Sequence, residues 1–301
     1  MRAAVLLMSL VLPLAAGAPP STTEPWTVRG ERQTLHLYGA RGGPVAVVAS
    51  GDGGWVHLAP EVAELLSARG WFVVGLDSKA YLSSFTKGDV TLGPADVPRD
   101  FAALLDHAAP GAGSVTLLVG VSEGAGLAVL AAGDDAVKAR ASGIVALGLP
   151  DKNELGWRLR DSIIYVTKGL PREPLFSAAD VIGKVAPLPV AAIHSTHDEF
   201  VPVDEVKRVM GRAREPKQLV LIEASNHRFS GSEAELNAKL LDAIDWMKHP
   251  GRLPRSPRLE GGEHLVGVAV DLDPVPALQD LPVGADQVGR AHEPHVGAPV
   301  L

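Results

Sequence analysis

The chain has 301 residues, of which 46% are hydrophobic, and this is enough for one substantial core. Its formal net charge of -7 provides no positive field for a phosphate backbone, which argues against nucleic-acid binding. The sequence has 0 cysteines, which excludes disulfide bonds, thiolate zinc sites and a cysteine nucleophile.

The N-terminus has the pattern of a secretory signal peptide over residues 1–17. Arg2 precedes an apolar run at residues 3–14, and small residues follow it. The alternative is an uncleaved membrane anchor, but the run is shorter than the ~20 apolar residues that a bilayer requires. We expect cleavage between Gly17 and Ala18 and a periplasmic or secreted mature protein.

Short apolar strands alternate with amphipathic helical segments after a polar, loose stretch that ends near Pro25. An edge or early strand is predicted at residues 33–38. The predicted buried strands are residues 45–49, 72–76, 115–119, 144–147, 190–193 and 219–222, and the predicted helices are residues 60–66, 97–108, 125–132, 206–213 and 233–247. This alternation predicts an α/β domain over residues 26–250, with a mostly parallel sheet flanked by helices.

Two segments depart from this alternation. Residues 151–184 interrupt it between two strands, and they predict either a small cap or lid over a site or an additional helix. From residue 251 onward prolines recur and periodicity fades, which predicts a largely disordered tail over residues 251–301.

The sequence Gly-Val-Ser-Glu-Gly at residues 120–124 follows one of the buried strands and opens a helix. This is the pattern of a nucleophile elbow, in which a sharp turn presents the serine hydroxyl above the end of the sheet. The flanking Gly120 and Gly124 are expected because side chains there would collide in so tight a turn. The pattern therefore predicts Ser122 as a catalytic nucleophile, and the alternative is a glycine-rich turn with an inert serine.

A serine nucleophile needs a base and an acid from later in the chain. His227 lies on a loop after the strand at residues 219–222, and Asp198 follows the strand at residues 190–193. The chain order Ser122, Asp198, His227 is typical of a nucleophile-elbow hydrolase. Glu199 is the rival for the role of the acid.

His194, His197, Asp198 and Glu199 also form a possible metal cluster, but residues so close along one loop rarely converge on an ion. A metal would also leave the serine elbow unexplained. The sequence predicts no metal centre and no cofactor.

Catalysis by serine also needs donors for the oxyanion of the tetrahedral intermediate. The glycine-rich segment at residues 50–55 directly follows the strand at residues 45–49. We predict that the backbone N–H groups of Asp52 and Glu123 form the oxyanion hole. A phosphate-binding loop is less compatible with this segment, because the Gly-Lys-Ser/Thr of a P-loop is missing.

The segment Ser-Gly-Asp-Gly-Gly-Trp at residues 50–55, the segment Gly-Leu-Asp-Ser at residues 75–78 with nearby Tyr81, and the serine elbow resemble the bacterial virulence protein VirJ/AcvB family. This family is a periplasmic branch of the α/β-hydrolases, and the resemblance covers residues 44–247. It implies the α/β-hydrolase fold, the triad Ser122, Asp198 and His227, and substrate contacts from Trp55, Asp77 and Tyr81.

The resemblance also implies hydrolysis of an ester in the cell envelope, such as the aminoacyl ester of lysyl-phosphatidylglycerol. Here Glu123 and Gly126 replace an aromatic residue and an aspartate of the family pattern, which puts recognition of a cationic aminoacyl group in doubt. We hypothesise that Glu123 supplies the missing negative charge from another position.

The sequence therefore predicts a periplasmic carboxylic-ester hydrolase that acts on a small-molecule or lipid ester, with peripheral membrane contact and no specific protein partner. Two alternatives remain open. One is a non-catalytic envelope or secretion accessory module with a hydrolase fold, and the other is a general short-chain esterase or peptidase.

Overall fold

A computed structural model of the protein describes residues 21–111, 116–158 and 173–250. The predicted signal peptide, the tail at residues 251–301, residue 115 of the predicted strand and residues 159–172 of the predicted cap lie outside these ranges. No helix in the described ranges combines the length and apolarity needed to cross a membrane.

The described part of the chain contains an eight-stranded sheet with helices on both faces, and a separate sheet of two strands, β7 and β8. The strands are β1 (Thr22–Val28), β2 (Glu31–Tyr38), β3 (Val45–Ala49), β4 (Phe72–Leu76), β5 (Thr116–Val121), β6 (Ala141–Leu147), β7 (Lys152–Glu154), β8 (Leu175–Ser177), β9 (Val190–Ser195) and β10 (Lys217–Ile222). The helices are α1 (Leu58–Ala68), α2 (Ser78–Ser84), α3 (Asp96–Ala108), α4 (Glu123–Ala131), α5 (Asp135–Lys138), α6 (Ala178–Val181), α7 (Val203–Arg212) and α8 (Glu233–Lys248), and a 3₁₀ turn spans Ile182–Lys184.

The sheet is mostly parallel, as predicted. Its strand order is β1-β2-β4-β3-β5-β6-β9-β10. Within this sheet the pairings β1–β2 and β2–β4 are antiparallel, and the other pairings are parallel. Parallel strands require crossover connections, which the helices provide on both faces. The carboxyl ends of β3, β5, β9 and β10 therefore meet at one edge of the sheet, where the loops that follow them gather.

The core forms two layers, one on each face of the sheet. Alternate residues of β3 divide between them: Val47 packs on the face covered by α3, α4 and α7, whereas Val48 packs on the face covered by α1 and α8. All nine residues of α4 are buried, so this helix lies inside the protein and its first turn is fixed by its surroundings. A side chain of leucine or phenylalanine buried in such a core contributes about 1.5–3 kcal/mol.

One feature of the sequence prediction is corrected. The stretch through Pro25 is not loose, because it forms β1 and pairs with β2 over seven residues; the folded domain therefore begins before residue 26. The predicted edge or early strand at residues 33–38 lies within β2, which is second from the edge of the sheet. The described part of residues 151–184 forms a small antiparallel hairpin of β7 and β8, followed by α6, in addition to the large sheet.

Candidate active site

Ser122 lies at the turn between β5 and α4 with φ 50° and ψ -118°, a left-handed conformation that side-chain-bearing residues rarely adopt. Such backbone strain costs on the order of 1–3 kcal/mol and is concentrated at functional sites. The turn is held by backbone hydrogen bonds from Ser122 N–H to the Leu147 carbonyl (2.8 Å) and from Ala125 N–H to the Ser122 carbonyl (2.8 Å). The elbow predicted from the sequence is therefore present in the structure.

Both glycines of the elbow are required by close backbone contacts. A Cβ at Gly120 would be 2.4 Å from the carbonyl oxygen of Gly124, and a Cβ at Gly124 would be 2.4 Å from the carbonyl oxygens of Ala49 and Ser50. The second contact joins α4 directly to the end of β3. The glycines thus serve the packing of helix against strand and not only the turn itself.

Asp198 and His227 are brought together as a hydrogen-bonded pair, although 29 residues separate them. The distance between His227 Nδ1 and Asp198 Oδ2 is 2.5 Å, and the Asp198 side chain is only 1% exposed. Nδ1 must donate to this carboxylate, so Nε2 of the neutral ring is left as the acceptor that a base requires.

The loop around Asp198 keeps that carboxylate ionised. Its Oδ1 accepts hydrogen bonds from the backbone N–H groups of Phe200 (2.9 Å) and Val201 (2.8 Å). Burial by itself would raise the pKa of Asp198, but the bond to His227, the imidazole's charge and these two backbone donors together hold the pKa below its usual value.

Glu199, the rival acid, has a different partner. Its Oε2 accepts a hydrogen bond from the backbone N–H of His227 at 2.7 Å, whereas the imidazole points to Asp198. The other members of the possible metal cluster also have separate partners: His194 contacts the carbonyl of Val201, and His197 contacts the carbonyl of Ala224. Within the described ranges no three histidine or acidic side chains are arranged to hold a metal ion.

Ser122 and His227 line one pocket of about 410 Å³ at the carboxyl end of the sheet. The predicted oxyanion residues Asp52 and Glu123 line it as well. Further lining residues were not predicted from the sequence, namely Val56, His57, Lys152, Glu154, Trp157, Phe200 and Arg228. They come from four separate segments of the chain, so only the folded chain shows that they share a pocket.

The backbone N–H of Glu123 is the first of helix α4, and the first N–H groups of a helix have no partner within it. The second predicted donor is the N–H of Asp52, in the loop that follows β3. Burial raises the pKa of Asp52, while His227, the Gly53 N–H, its own N–H and Lys79 act in the opposite direction.

Burial argues against the hypothesis that Glu123 supplies a negative charge. The side chain is buried, and burial raises the pKa of Glu123 well above its usual value, with Asp52 and Glu154 adding to the effect. The Oε1 atom of Glu123 accepts a hydrogen bond from the Glu154 N–H at 2.7 Å. This hydrogen bond joins α4 to β7.

Gly126, the other departure from the family pattern, faces β7 as well. A Cβ at Gly126 would be 1.8 Å from Oδ1 of Asn153, a fully buried residue. The carboxamide of Asn153 donates to the carbonyls of Pro150 (3.0 Å) and Asp151 (3.2 Å), which fixes its position. The space beside Gly126 is thus occupied by an amide from the hairpin.

The three predicted substrate contacts lie outside the pocket lining, and this part of the prediction is corrected. Tyr81 is 0% exposed, and its hydroxyl donates to Oδ2 of Asp100 at 2.7 Å, so it is a core residue. Asp77 caps α2 by accepting from Ala80 N–H and also accepts from Trp55 N–H at 3.1 Å.

Trp55 anchors the glycine-rich loop at residues 51–54 to the sheet. Its indole stacks on His36 with 4.7 Å between ring centroids and donates to the hydroxyl of Tyr38 at 3.2 Å. A Cβ at Gly75 would be 2.1 Å from the indole, so the glycine of the second motif makes room for the tryptophan of the first. The two motifs therefore form one structural unit that positions residues 51–54.

The chain belongs to the α/β-hydrolase fold class and, more particularly, to the VirJ family of bacterial virulence proteins, whose family model matches residues 43–247. Among curated proteins, the uncharacterized protein YfhR of Salmonella typhi is 38% identical over 63 residues, which is 20% of this chain and 22% of YfhR. The match therefore spans about a fifth of the length of that relative.

Solved structures show the same fold. The esterase domain of a Rhodothermus marinus protein has a TM-score of 0.53 and 18% identity, with 76% of this chain and 99% of that chain covered. The dienelactone hydrolase of Anabaena variabilis has a TM-score of 0.55 and 16% identity, with coverage of 77% and 99%. A membrane phospholipase A described as a bacterial virulence factor has a TM-score of 0.56 and 13% identity, with coverage of 78% and 88%. At these identities the likeness establishes the fold alone.

Proposed function

We propose that this protein is a serine hydrolase that cleaves carboxylic esters. The observation that carries the proposal is the strained Ser122 at the end of β5, in one pocket with a histidine whose Nδ1 is bonded to a buried aspartate. A histidine held in this way can accept the serine proton, which a glycine-rich turn with an inert serine would not require.

In the proposed reaction Ser122 Oγ attacks the ester carbonyl carbon while its proton passes to Nε2 of His227. The tetrahedral intermediate places its negative oxygen near the N–H groups of Glu123 and Asp52, each of which contributes about 3 kcal/mol when such a donor is well aligned. Collapse breaks the ester C–O bond, and the departing alcohol takes the proton from His227. Water then hydrolyses the acyl-serine by the same steps and releases the carboxylic acid.

We further propose that the substrate is an aminoacylated phospholipid, with the aminoacyl ester of phosphatidylglycerol as the leading candidate. Membership of the VirJ family supports this. The carboxylates of Asp52 and Glu154 line the pocket and could hold an ammonium group. Because burial raises the pKa of Glu123 well above its usual value, these two residues carry that role in the proposal.

The mouth of the pocket is also compatible with a lipid. Val56 and Phe200 line it and are 48% and 52% exposed, so apolar side chains face solvent at its rim. Lys152 and Arg228 line the same pocket and are exposed cations suited to a lipid phosphate. Contact with the periphery of a membrane belongs to this proposal.

The first test is the variant Ser122→Ala, assayed on a panel of aminoacyl and neutral acyl esters. Loss of turnover by about 10⁶-fold is expected, as for removal of a triad nucleophile. Ser83→Ala is the matched control because Ser83 is an exposed serine on α2. A fluorophosphonate probe should label Ser122 alone. Unchanged turnover in Ser122→Ala would refute the hydrolase proposal, and its full complementation of a deletion strain would favour the accessory module.

The lipid substrate and the location need separate tests. Lipid analysis of a deletion strain should show accumulated aminoacyl-phosphatidylglycerol, and an unchanged lipid profile would contradict the lipid substrate. Hydrolysis of small neutral esters alone would support a short-chain esterase. We propose a periplasmic location after removal of residues 1–17, for which N-terminal sequencing of protein from a periplasmic extract is the test; an intact Met1 would contradict it.

A further inference from the structure

His194 is a fully buried histidine that lies beside the acid of the triad without touching the pocket. It is on β9, four residues before Asp198, and it is 0% exposed. Its Nε2 lies 2.9 Å from the carbonyl oxygen of Val201 and 3.8 Å from Oδ2 of Asp198. Within the described ranges its Nδ1 is buried and makes no hydrogen bond.

The contact with Val201 is part of a chain of hydrogen bonds that links His194 to Asp198. A carbonyl oxygen only accepts, so Nε2 of His194 must carry the proton and donate it. The N–H of Val201 in turn donates to Oδ1 of Asp198 at 2.8 Å. His194 therefore holds the carbonyl group of Val201, while the N–H group of the same residue holds the carboxylate of Asp198.

We propose that His194 is a positioning residue, whose Nε2–H holds the turn from Asp198 to Val201 closed so that the carboxylate stays aimed at Nδ1 of His227. Because its ring is neutral, His194 also does not compete with His227 for the negative charge of Asp198. This inference rests on the proposed hydrolase function, because it assigns a role to a residue that supports the triad.

The charge state of His194 follows from its surroundings. Burial lowers the pKa of His194, with the proximity of His227 acting in the same direction, whereas the Val201 carbonyl, Asp198 and Glu205 act against them. The ring is therefore neutral at neutral pH. A cationic His194 would compete with the imidazolium of His227 for one carboxylate, which would weaken the base when it receives the serine proton.

The test compares three variants. His194→Phe keeps a ring but removes the donor, and His194→Gln keeps an N–H that can reach the Val201 carbonyl. His197→Phe is the matched control, since its imidazole contacts the Ala224 carbonyl and not the acid loop. We expect His194→Phe to lower kcat by about 100-fold with little change in KM, the loss that follows a misplacement of about 1 Å. His194→Gln should restore most of the rate.

Turnover normalised to the folded fraction separates positioning from simple loss of stability. If the carboxylate is no longer aimed at His227, kcat per folded molecule should fall in His194→Phe and return in His194→Gln. Fewer folded molecules would reduce the observed rate without changing kcat per folded molecule. A folded His194→Phe protein with the kcat of the wild type would overturn the proposal.

A second measurement uses the unmodified enzyme and does not depend on turnover. Nitrogen NMR of the histidine-labelled protein should show His194 as the neutral Nε2–H tautomer from about pH 7 to about pH 8. An Nδ1–H tautomer, or protonation within this range, would overturn the proposal even if the variants fail to fold. Absence of any hydrolysis by the wild-type enzyme would instead contradict the proposed function.

Discussion

The imidazole of His227 lies directly against Gly148, which follows the last residue of β6. A Cβ at Gly148 would be 2.7 Å from Cε1 of His227, and Gly148 has φ +59°. β6 lies between β5 and β9 in the sheet, so its end forms the surface on which the imidazole of His227 rests between Ser122 and Asp198. The absence of a side chain at this position allows the imidazole to reach across from the far loop.

The variant Gly148→Ala should therefore displace the imidazole. We expect kcat to fall by about 100-fold, because a shift of about 1 Å misplaces the base. Gly88→Ala is the matched control: Gly88 has φ +56°, and nothing lies within 4 Å of its Cβ position, so it adds similar backbone strain without touching the site. Equal kinetics of the two variants would show that contact with His227 is unimportant.

The variants Asp198→Asn and Glu199→Gln, which remove one carboxylate charge each, should differ sharply in kcat. Asp198→Asn places an amide at the His227 ring and should lower kcat by about 10⁴-fold, as expected when the base loses its tautomer. Glu199→Gln keeps a carbonyl oxygen for the His227 backbone N–H, so the loss should be about tenfold or less. Steady-state kinetics of both variants decide between them, and the reverse order would identify Glu199 as the acid.

Asp77 should position the loop at residues 51–54 and should not contact the substrate. Asp77→Asn can keep only one of the two hydrogen bonds to the N–H groups of Trp55 and Ala80, so residues 51–54 should lose alignment. We expect kcat to fall by on the order of 10- to 100-fold for cationic and neutral acyl esters alike. A loss confined to cationic esters would instead restore Asp77 as a substrate contact.

Glu123 should make the protein less stable as pH rises. Its pKa in the folded state is raised above the ordinary value of 4.5, so its stabilising contribution is complete below about that pH and is lost as pH rises toward the folded-state value. Glu123→Gln keeps the acceptor for the Glu154 N–H without an ionisable proton. It should therefore match the wild type near pH 4 and become the more stable form near pH 8.

Urea unfolding of both proteins at the two pH values measures this difference. Glu64→Gln on α1 is the control, since Glu64 is exposed. A stability difference between wild type and Glu123→Gln that does not grow with pH would show that Glu123 is ionised in the folded protein.

The sequence predicted the fold well because its signals are local. Five of the six apolar strand segments lie within observed strands, and the glycine pattern around Ser122 predicted the elbow that the structure shows. The pairing of Asp198 with His227 also agreed with the prediction from chain order. β1 was missed because Pro25 and the polar residues around it have a low preference for strands. Pairing with β2 nevertheless stabilises a strand at this place.

The remainder of the site depends on tertiary contacts that no short motif contains. Trp55, Asp77 and Tyr81 stand out in the sequence, but the structure uses them to fasten the loop and the core. Conversely, Trp157 and Phe200 carry no recognisable pattern, and their places in the pocket follow only from how separate segments of the chain meet. His194 stood out only as a possible metal ligand, and its contact with Val201 follows from the folded loop. The raised pKa of Glu123 is likewise a result of burial and could not be read from its residue type.

The buried Asp100 determines how far the N-terminus can be shortened. Arg29 holds both of its carboxylate oxygens at 2.7 Å, and Tyr81 donates to one of them, so the turn between β1 and β2 neutralises a charge on α3 inside the core. The family model begins at residue 43, yet a chain trimmed to that point would leave the carboxylate without its arginine. Any shortening of the N-terminus must therefore retain Arg29 for Asp100 to keep this partner.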